Sequence, residues 1–320
     1  MRKSKQLAIS FIFIVCLTVI NFPVLAKQDI LIGGGSVTGV YYQVAAQTCK
    51  LMNKNKGDAY NCIGRPAMGS VFNINAVIRG LLDFGITQSD VNYAATMGEG
   101  PWKGKPVTQL RSVFSMHPET VLLMTRAETG IRSISDLKGK VVNIGNLGSG
   151  QRGNALDILR LHGIDEKTDL KTEGLQQSEA SQALVDKRID AFFYTVGNPS
   201  TALSEPANAI QADLIDINSK AIKKMVAEKP YYVMTTIPAN TYNGINHSIE
   251  TYAVKATVVA SSSLSQKAVY DYVKTVFEHL EELKGMHAAF KILNPKDMLD
   301  GLTAPLHDGA IKYYKERGLI

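Results

Sequence analysis

The chain has 320 residues, 45% hydrophobic and 20% charged, with 35 basic against 29 acidic side chains and a net charge of +6. That length accommodates two domains with ample core, and the small basic excess, with no basic block, argues against a nucleic-acid partner.

Arg2, Lys3 and Lys5 precede an apolar stretch from about Leu7 to Val24 that ends in Val24-Leu25-Ala26. This is the pattern of a cleaved secretory signal, residues 1–26, and it predicts a periplasmic protein starting near Lys27. A membrane anchor is the alternative, but the stretch is barely long enough to span and has no stop-transfer flank. Cys16 follows bulky Ile14 and Val15, so it lacks the small residues expected before a lipid-modified cysteine. Removing the signal takes away three basic residues and no acidic one, leaving a charge of +3.

Strand-length apolar runs then alternate with helical patterns. Strands are expected near Ile30 to Ile32, Tyr60 to Gly64, Phe84 to Thr87, Leu110 to Phe114, Val121 to Thr125, Val141 to Ile144, Ala191 to Tyr194 and Leu214 to Ile217. Helices are expected over Val40 to Met52, Ser70 to Leu81, Gly153 to His162 and Glu179 to Lys187. Such alternation implies parallel sheets covered by helices on both faces. After Pro230 come two longer extended runs, Tyr231 to Ile237 and Ala253 to Ala260, then a helix from Leu264 to about Leu283. The simplest topology has two α/β lobes, 27–117 plus 256–320 and 118–255, joined by two crossing segments around a cleft. Cys49 and Cys62, the pair left after export, read most simply as one disulfide, with two buried thiols as the alternative.

Binding crevices in open α/β sheets lie beyond the carboxyl ends of strands, where four motifs fall. The first is Ile30-Leu-Ile-Gly-Gly-Gly-Ser-Val-Thr-Gly-Val-Tyr-Tyr42. Its glycines allow close backbone approach, Ser36 and Thr38 add hydroxyls, and a helix start near Val40 favours an anion. No Lys-Ser/Thr follows the glycines and no dinucleotide fingerprint is completed, so nucleotide readings fail. Tyr41 and Tyr42 divide between packing and the cleft wall. In the second motif Gln88 and Ser89 offer hydrogen bonds, while Asp90 reads as a helix cap.

The third motif, Asn143 to Asn154, is a glycine-rich turn carrying Ser149, Gln151 and Arg152. Arginine at a helix N-terminus opposes the dipole; a ligand carboxylate would relieve the conflict, and a solvated side chain is the other reading. The fourth, Tyr194 to Ser200, places Asn198 as cap or ligand contact and Pro199 in a first helical turn. No catalytic or metal constellation accompanies these motifs, and no cofactor is expected. The histidines at 117, 162, 247, 279, 287 and 307 have no ligand spacing; His162 closes a helix and the others read as surface residues.

The mature chain resembles the TAXI family of solute-binding proteins that serve tripartite ATP-independent periplasmic (TRAP) transporters. The resemblance rests on Ile32-Gly-Gly-Gly-Ser-Val-Thr-Gly-Val-Tyr-Tyr42, Gly80 to Ile86 with Gln88-Ser89-Asp90, Ser135 to Gly145, Gly148-Ser-Gly150 and Ile237-Pro-Ala-Asn-Thr-Tyr242. Gln151-Arg152 stands where Thr often follows Gly-Ser-Gly, and Asn240 where glycine is common.

The resemblance implies an α/β, two-lobed periplasmic binding-protein fold, type II-like, with two parallel or mixed sheets flanked by helices. It also implies a monomeric receptor that binds a small anion such as glutamate, 2-oxoglutarate or 2-hydroxyglutarate and delivers it to a TRAP membrane permease. Carried over by position, Gly35, Ser36, Tyr42, Gln88, Ser89, Ser149, Gln151, Arg152, Asn154, Tyr194 and Asn198 would line the cleft. A sensor or surface protein that signals to a membrane partner, or an exported enzyme on the same architecture, are the rival readings.

Overall fold

The structure, a computed structural model, describes residues 27–320; the expected export signal lies outside the described residues. The chain opens with β1 (Gln28–Gly33), α1 (Val40–Lys56), β2 (Tyr60–Arg65), α2 (Ser70–Ile78), β3 (Phe84–Gln88) and α3 (Ser89–Met97). It continues through β4 (Leu110–Arg126), β5 (Val141–Asn143), α4 (Gly150–Leu161), β6 (Lys171–Glu173), α5 (Gln177–Val185), β7 (Ala191–Val196), α6 (Thr201–Ala209), β8 (Ala212–Leu214) and α7 (Lys220–Glu228). The last elements are β9 (Val233–Ile237), β10 (Ile249–Ser261), α8 (Gln266–Glu278), α9 (Leu280–Lys284) and α10 (Asp308–Glu316).

Among the described residues the strands form one ten-stranded sheet, ordered β2-β1-β3-β10-β4-β7-β5-β6, with β8 on β4 and β9 on β10. The expectation of two sheets is corrected here: the separate runs Leu110 to Phe114 and Val121 to Thr125 are one strand, β4. Residues 115–120, whose Ser, His, Pro and Glu read as a break, stay extended because β10 pairs with them directly, at Ser115, Pro118, Glu119 and Thr120. β10 is antiparallel to both β3 and β4, and β4 is antiparallel to β7. The two crossing segments are therefore neighbouring strands. Their register shifts between Lys255 and Thr257, where Pro118, which has no N–H to give, pairs with Lys255.

The parallel triplets β2-β1-β3 and β6-β5-β7 are the expected βαβ pattern. All five residues of β3 are buried, as befits a strand covered on both faces. Along β4 and β7 the two-residue period splits the core cleanly. Leu122 and Phe192 join a cluster with Ile30, Val44, Phe84 and Phe114, while Leu123 and Phe193 join Val142, Ile158 and Ile222 under α4 and α7. α1 buries Val40, Val44, Ala45, Thr48, Cys49 and Met52, one stripe of a helix.

Several boundaries move for local reasons. α4 begins at Gly150 rather than Gly153 because Ser149 caps it, its Oγ accepting from Arg152 N. The long final pattern is broken at His279 into α8 and α9, and Pro199 precedes Ser200, the N-cap of α6, rather than entering the helix. His162 does close α4, its Nδ1 2.7 Å from Ile158 O. His117 and His307 are buried, contrary to the surface reading. His307 caps α10 through Nδ1, and burial drives His117 down to about 3, so its ring is neutral.

Cys49 of α1 and Cys62 of β2 are joined in a disulfide that closes a 13-residue separation. Loop closure of that length stabilises by about 2–4 kcal/mol. The Cys49→Ala/Cys62→Ala protein is expected to lose that much in urea unfolding, with dithiothreitol destabilising only the parent.

Candidate functional site

The carboxyl ends of β1, β3 and β7 meet the starts of five helices around one cavity. Gly39 and Val40 begin α1, Gly69 and Ser70 begin α2, Gln88 precedes α3, Ser149 to Gln151 begin α4, and Gln176 and Gln177 begin α5; all of these line it. In α1, α2 and α3 the N-cap side chain makes no hydrogen bond to the helix. Phe72 N of α2 and Val91 N of α3 are already engaged, by Gly148 O and Asp90 Oδ1, so it is the amides nearest each helix start that are left to an anion. Ser36, Tyr41, Glu119, Tyr194 and Thr195 complete much of the wall, and no lysine or arginine is among the described residues lining it.

The walls come from both ends of the sheet and are tied together across the gap. Phe72 N donates to Gly148 O at 3.0 Å, and Asn146 Nδ2 donates to Met68 O at 2.9 Å. Gly69, at φ +105°, allows this approach: a Cβ there would stand 3.0 Å from Ser149 Cα. Gly150 is equally constrained, since a Cβ would collide with Gln88 Oε1.

Deeper in, a buried polar network joins the same two sides. Gln88 Nε2 donates to Asn154 Oδ1 at 2.8 Å and to Asp90 Oδ1 at 3.1 Å. Asn154 Nδ2 donates to Asp90 Oδ2 at 2.7 Å, Tyr232 OH to the same oxygen at 3.1 Å, and Thr195 Oγ1 to Asn154 Oδ1 at 2.9 Å. Asp90 is thus not the cap expected of it. Gln88 holds the N-cap position, and the Asp90 carboxyl inside the first turn receives donors from across the gap. Burial raises its pKa, against the lowering effect of its hydrogen bonds from Asn154, Tyr232, Gln88 and Val91 N.

The residues expected from sequence divide among several environments. Gly35, Ser36, Gln88, Ser149, Gln151 and Tyr194 line the cavity together. Tyr42 does not; its neighbour Tyr41 does, with the hydroxyl donating to Glu119 Oε2 at 2.7 Å. Ser89 lies beneath the site, where its Oγ accepts from Lys255 N. Asn154 and Arg152 line a larger cavity of about 740 Å³ beyond the polar network, with Trp102, Asp157, Arg160 and Tyr231. Arg152 Nη1 donates to Gly145 O at 3.0 Å, so one of its N–H donors is held by the backbone of its own turn. Asn198 lines a third cavity beside His117, bonded to Thr120 Oγ1 and Tyr242 OH.

Ser70, Glu119, Thr195 and the Gln176-Gln177 pair are lining residues not expected from sequence, and of the two tyrosines weighed for the wall it is Tyr41 that lines the cavity. Only Glu119 left a trace, as a carboxylate inside a polar interruption between two apolar runs. It is 1% exposed, and burial pushes its carboxyl well above the usual range, with Tyr41 opposing and Asp90 adding to the rise. Tyr41 is raised as well, first by burial and then by Glu119.

Residues 32–318 match the NMT1-like family. The chain belongs to the NMT1-like family. Among solved structures, this NMT1-like chain is similar to the alkanesulfonate-binding protein SsuA from Xanthomonas axonopodis pv. citri bound to MOPS, at 16% identity and a TM-score of 0.50 over 92% of this chain and 84% of that one. It is similar to MatC from Rhodopseudomonas palustris with bound malate, at 14% identity and a TM-score of 0.57 over 93% and 98% of the two chains. A binding-protein component of a phosphonate transporter from Pseudomonas aeruginosa matches at 12% identity and a TM-score of 0.51 over 82% and 79%. The fold is the α/β type II fold of periplasmic binding proteins, a mixed sheet flanked by helices. No helix among the described residues is long and apolar enough to cross a membrane.

Asp90→Ala removes the acceptor for two buried side-chain amides. Loss of these bonds, which leaves Asn154 Nδ2 unpaired and Gln88 Nε2 with Asn154 Oδ1 alone, is expected to cost about 1–3 kcal/mol in urea unfolding. Tyr232→Phe, which removes one donor to a carboxyl that keeps the others, should cost less than Asp90→Ala in the same measurement.

Proposed function

We propose that this NMT1-like protein is an extracytoplasmic solute receptor of the TAXI type that captures a small C5 dicarboxylate and delivers it to a TRAP membrane permease. The observation that carries the reading is the convergence of five helix starts on one cavity between the two ends of the sheet. Amide N–H groups at helix starts hold carboxylate oxygens without a cationic side chain. The similar proteins are described with malate, MOPS and a phosphonate transporter, which are likewise anion chemistries. Gln177, whose Nε2 has no hydrogen-bond partner among the described residues, together with Gln151 and Ser36 adds side-chain donors that fix a bound solute's orientation.

Lobes at 27–117 plus 256–320 and at 118–255 suit this role. Pro118 and one of the two register shifts of the β4-β10 ladder, that beside Lys255, fall at both proposed boundaries. Bending there would part Met68 and Phe72 from Asn146 and Gly148 and open the cavity to solvent. The closed form, with both rims joined, is the one a permease would recognise.

Calorimetric titration with glutamate, 2-oxoglutarate and 2-hydroxyglutarate tests the reading, with a neutral sugar as control. At least one of the three acids is expected to bind and the sugar is not; binding of the sugar alone would overturn the proposal. Gln177→Ala should weaken the bound acid about tenfold, the worth of one or two hydrogen bonds. Arg152→Ala should change it less than threefold, because Arg152 lines the larger cavity beyond the polar network rather than this one.

A further inference from the structure

Glu119 is an unusual residue to find in an anion site. It stands on β4 at the crossing between the two ends of the sheet, lines the cavity, and is 1% exposed. Oε2 accepts from Tyr41 OH, while Oε1 has no hydrogen-bond partner among the described residues. No lysine or arginine among the described residues forms an ion pair with Glu119 or lines the cavity beside it. The groups that face it are Tyr41 from α1, Asp90 from α3 and Tyr194 from β7, none of which supplies positive charge. His117, two residues back on its own strand, is buried and neutral.

A buried carboxyl without a cation is expensive to ionise, so it stays protonated until a cation arrives. The helix starts accommodate the carboxylates of a solute but leave Oε1 of Glu119 unmatched. A solute that carries an ammonium group beside its carboxylates satisfies both features at once. Resting on the C5-dicarboxylate reading above, we propose that Glu119 selects the amine-bearing member, an amino dicarboxylate, and gives up its proton when that solute binds. In this step the carboxyl O–H bond breaks, its electron pair stays on the carboxylate, the proton passes to solvent, and the ligand ammonium donates to Oε1. One proton leaves for each solute bound. Tyr41 holds Oε2 before and after.

The measurement is calorimetric titration of the whole mature protein with glutamate and with 2-oxoglutarate, each in two buffers of different ionisation enthalpy at one pH. Glutamate is expected to release close to one proton and 2-oxoglutarate none. On the acid side of the Glu119 pKa, the glutamate Kd should fall about tenfold per unit rise in pH, because one proton must be expelled on binding. Glu119→Gln keeps the shape of the side chain; it should abolish proton release and weaken glutamate tenfold or more, leaving 2-oxoglutarate within threefold. Glutamate binding without proton release in the parent protein overturns the proposal by itself, even if the variant does not fold. So does tighter binding of 2-oxoglutarate than of glutamate, which would leave the receptor reading intact. Binding of none of the C5 acids would overturn the receptor reading and this proposal together.

Discussion

The antiparallel pairing of β4 with β10 is the contact on which the rest of the molecule hangs. Each strand passes the full depth of the sheet, so helices at opposite ends of the chain are attached to one pair of neighbours. At one end β10 also pairs with β3, and at the other β4 pairs with β7 and β8. Wherever β3 and β7 finish, their carboxyl ends face each other across this pair. Gln88 and Thr195, remote in sequence, meet at Asn154 for that reason. The register shifts beside Pro118, between Lys255 and Thr257, and again between Val258 and Val259.

Charge is handled at the site without cationic side chains. Backbone amides at helix starts provide the positive ends of dipoles, fixed in place by the helices behind them and needing no desolvation of a guanidinium or ammonium. The two carboxyls at the site, Glu119 in the cavity wall and Asp90 in the network behind it, are both buried. Asp90 is satisfied by donors from both sides of the gap, so it contributes to holding the walls together. Glu119 has only Tyr41 among the described residues, which leaves its second oxygen without a partner. Two carboxyls in one region thus take different parts because their hydrogen-bond surroundings differ.

Much of the architecture could be read directly from residue order. The runs at Ile30, Phe84 and Ala191 are continuous and apolar because their strands are covered on both faces, and that pattern is visible without a structure. Glycine turns at Gly33 and Gly145 marked strand-to-helix connections because the backbone there must turn sharply. The disulfide was legible from export and an even cysteine count. Other features misled for physical reasons. Residues 115–120 look like a loop in isolation, and only pairing to β10 keeps them extended. Arg152 looked like an anion ligand because charge and helix polarity conflict locally; the turn resolves that conflict with its own carbonyl at Gly145.

Sequence by itself thus determined the alternating α/β plan, the strand-end positions of Gly35, Ser36, Gln88, Ser149, Gln151 and Tyr194, and the cysteine pair. Each of these follows from short-range periodicity or from turn chemistry confined to a few residues. Only the tertiary structure decided that Tyr41 rather than Tyr42 faces inward, that Asp90 reaches across the gap, and that Glu119 lines the cavity. Those outcomes depend on helix rotation and on strand register between segments up to 142 residues apart, as with Asp90 and Tyr232. No local pattern encodes such a meeting, because it is set by how the packed faces of distant elements fit together.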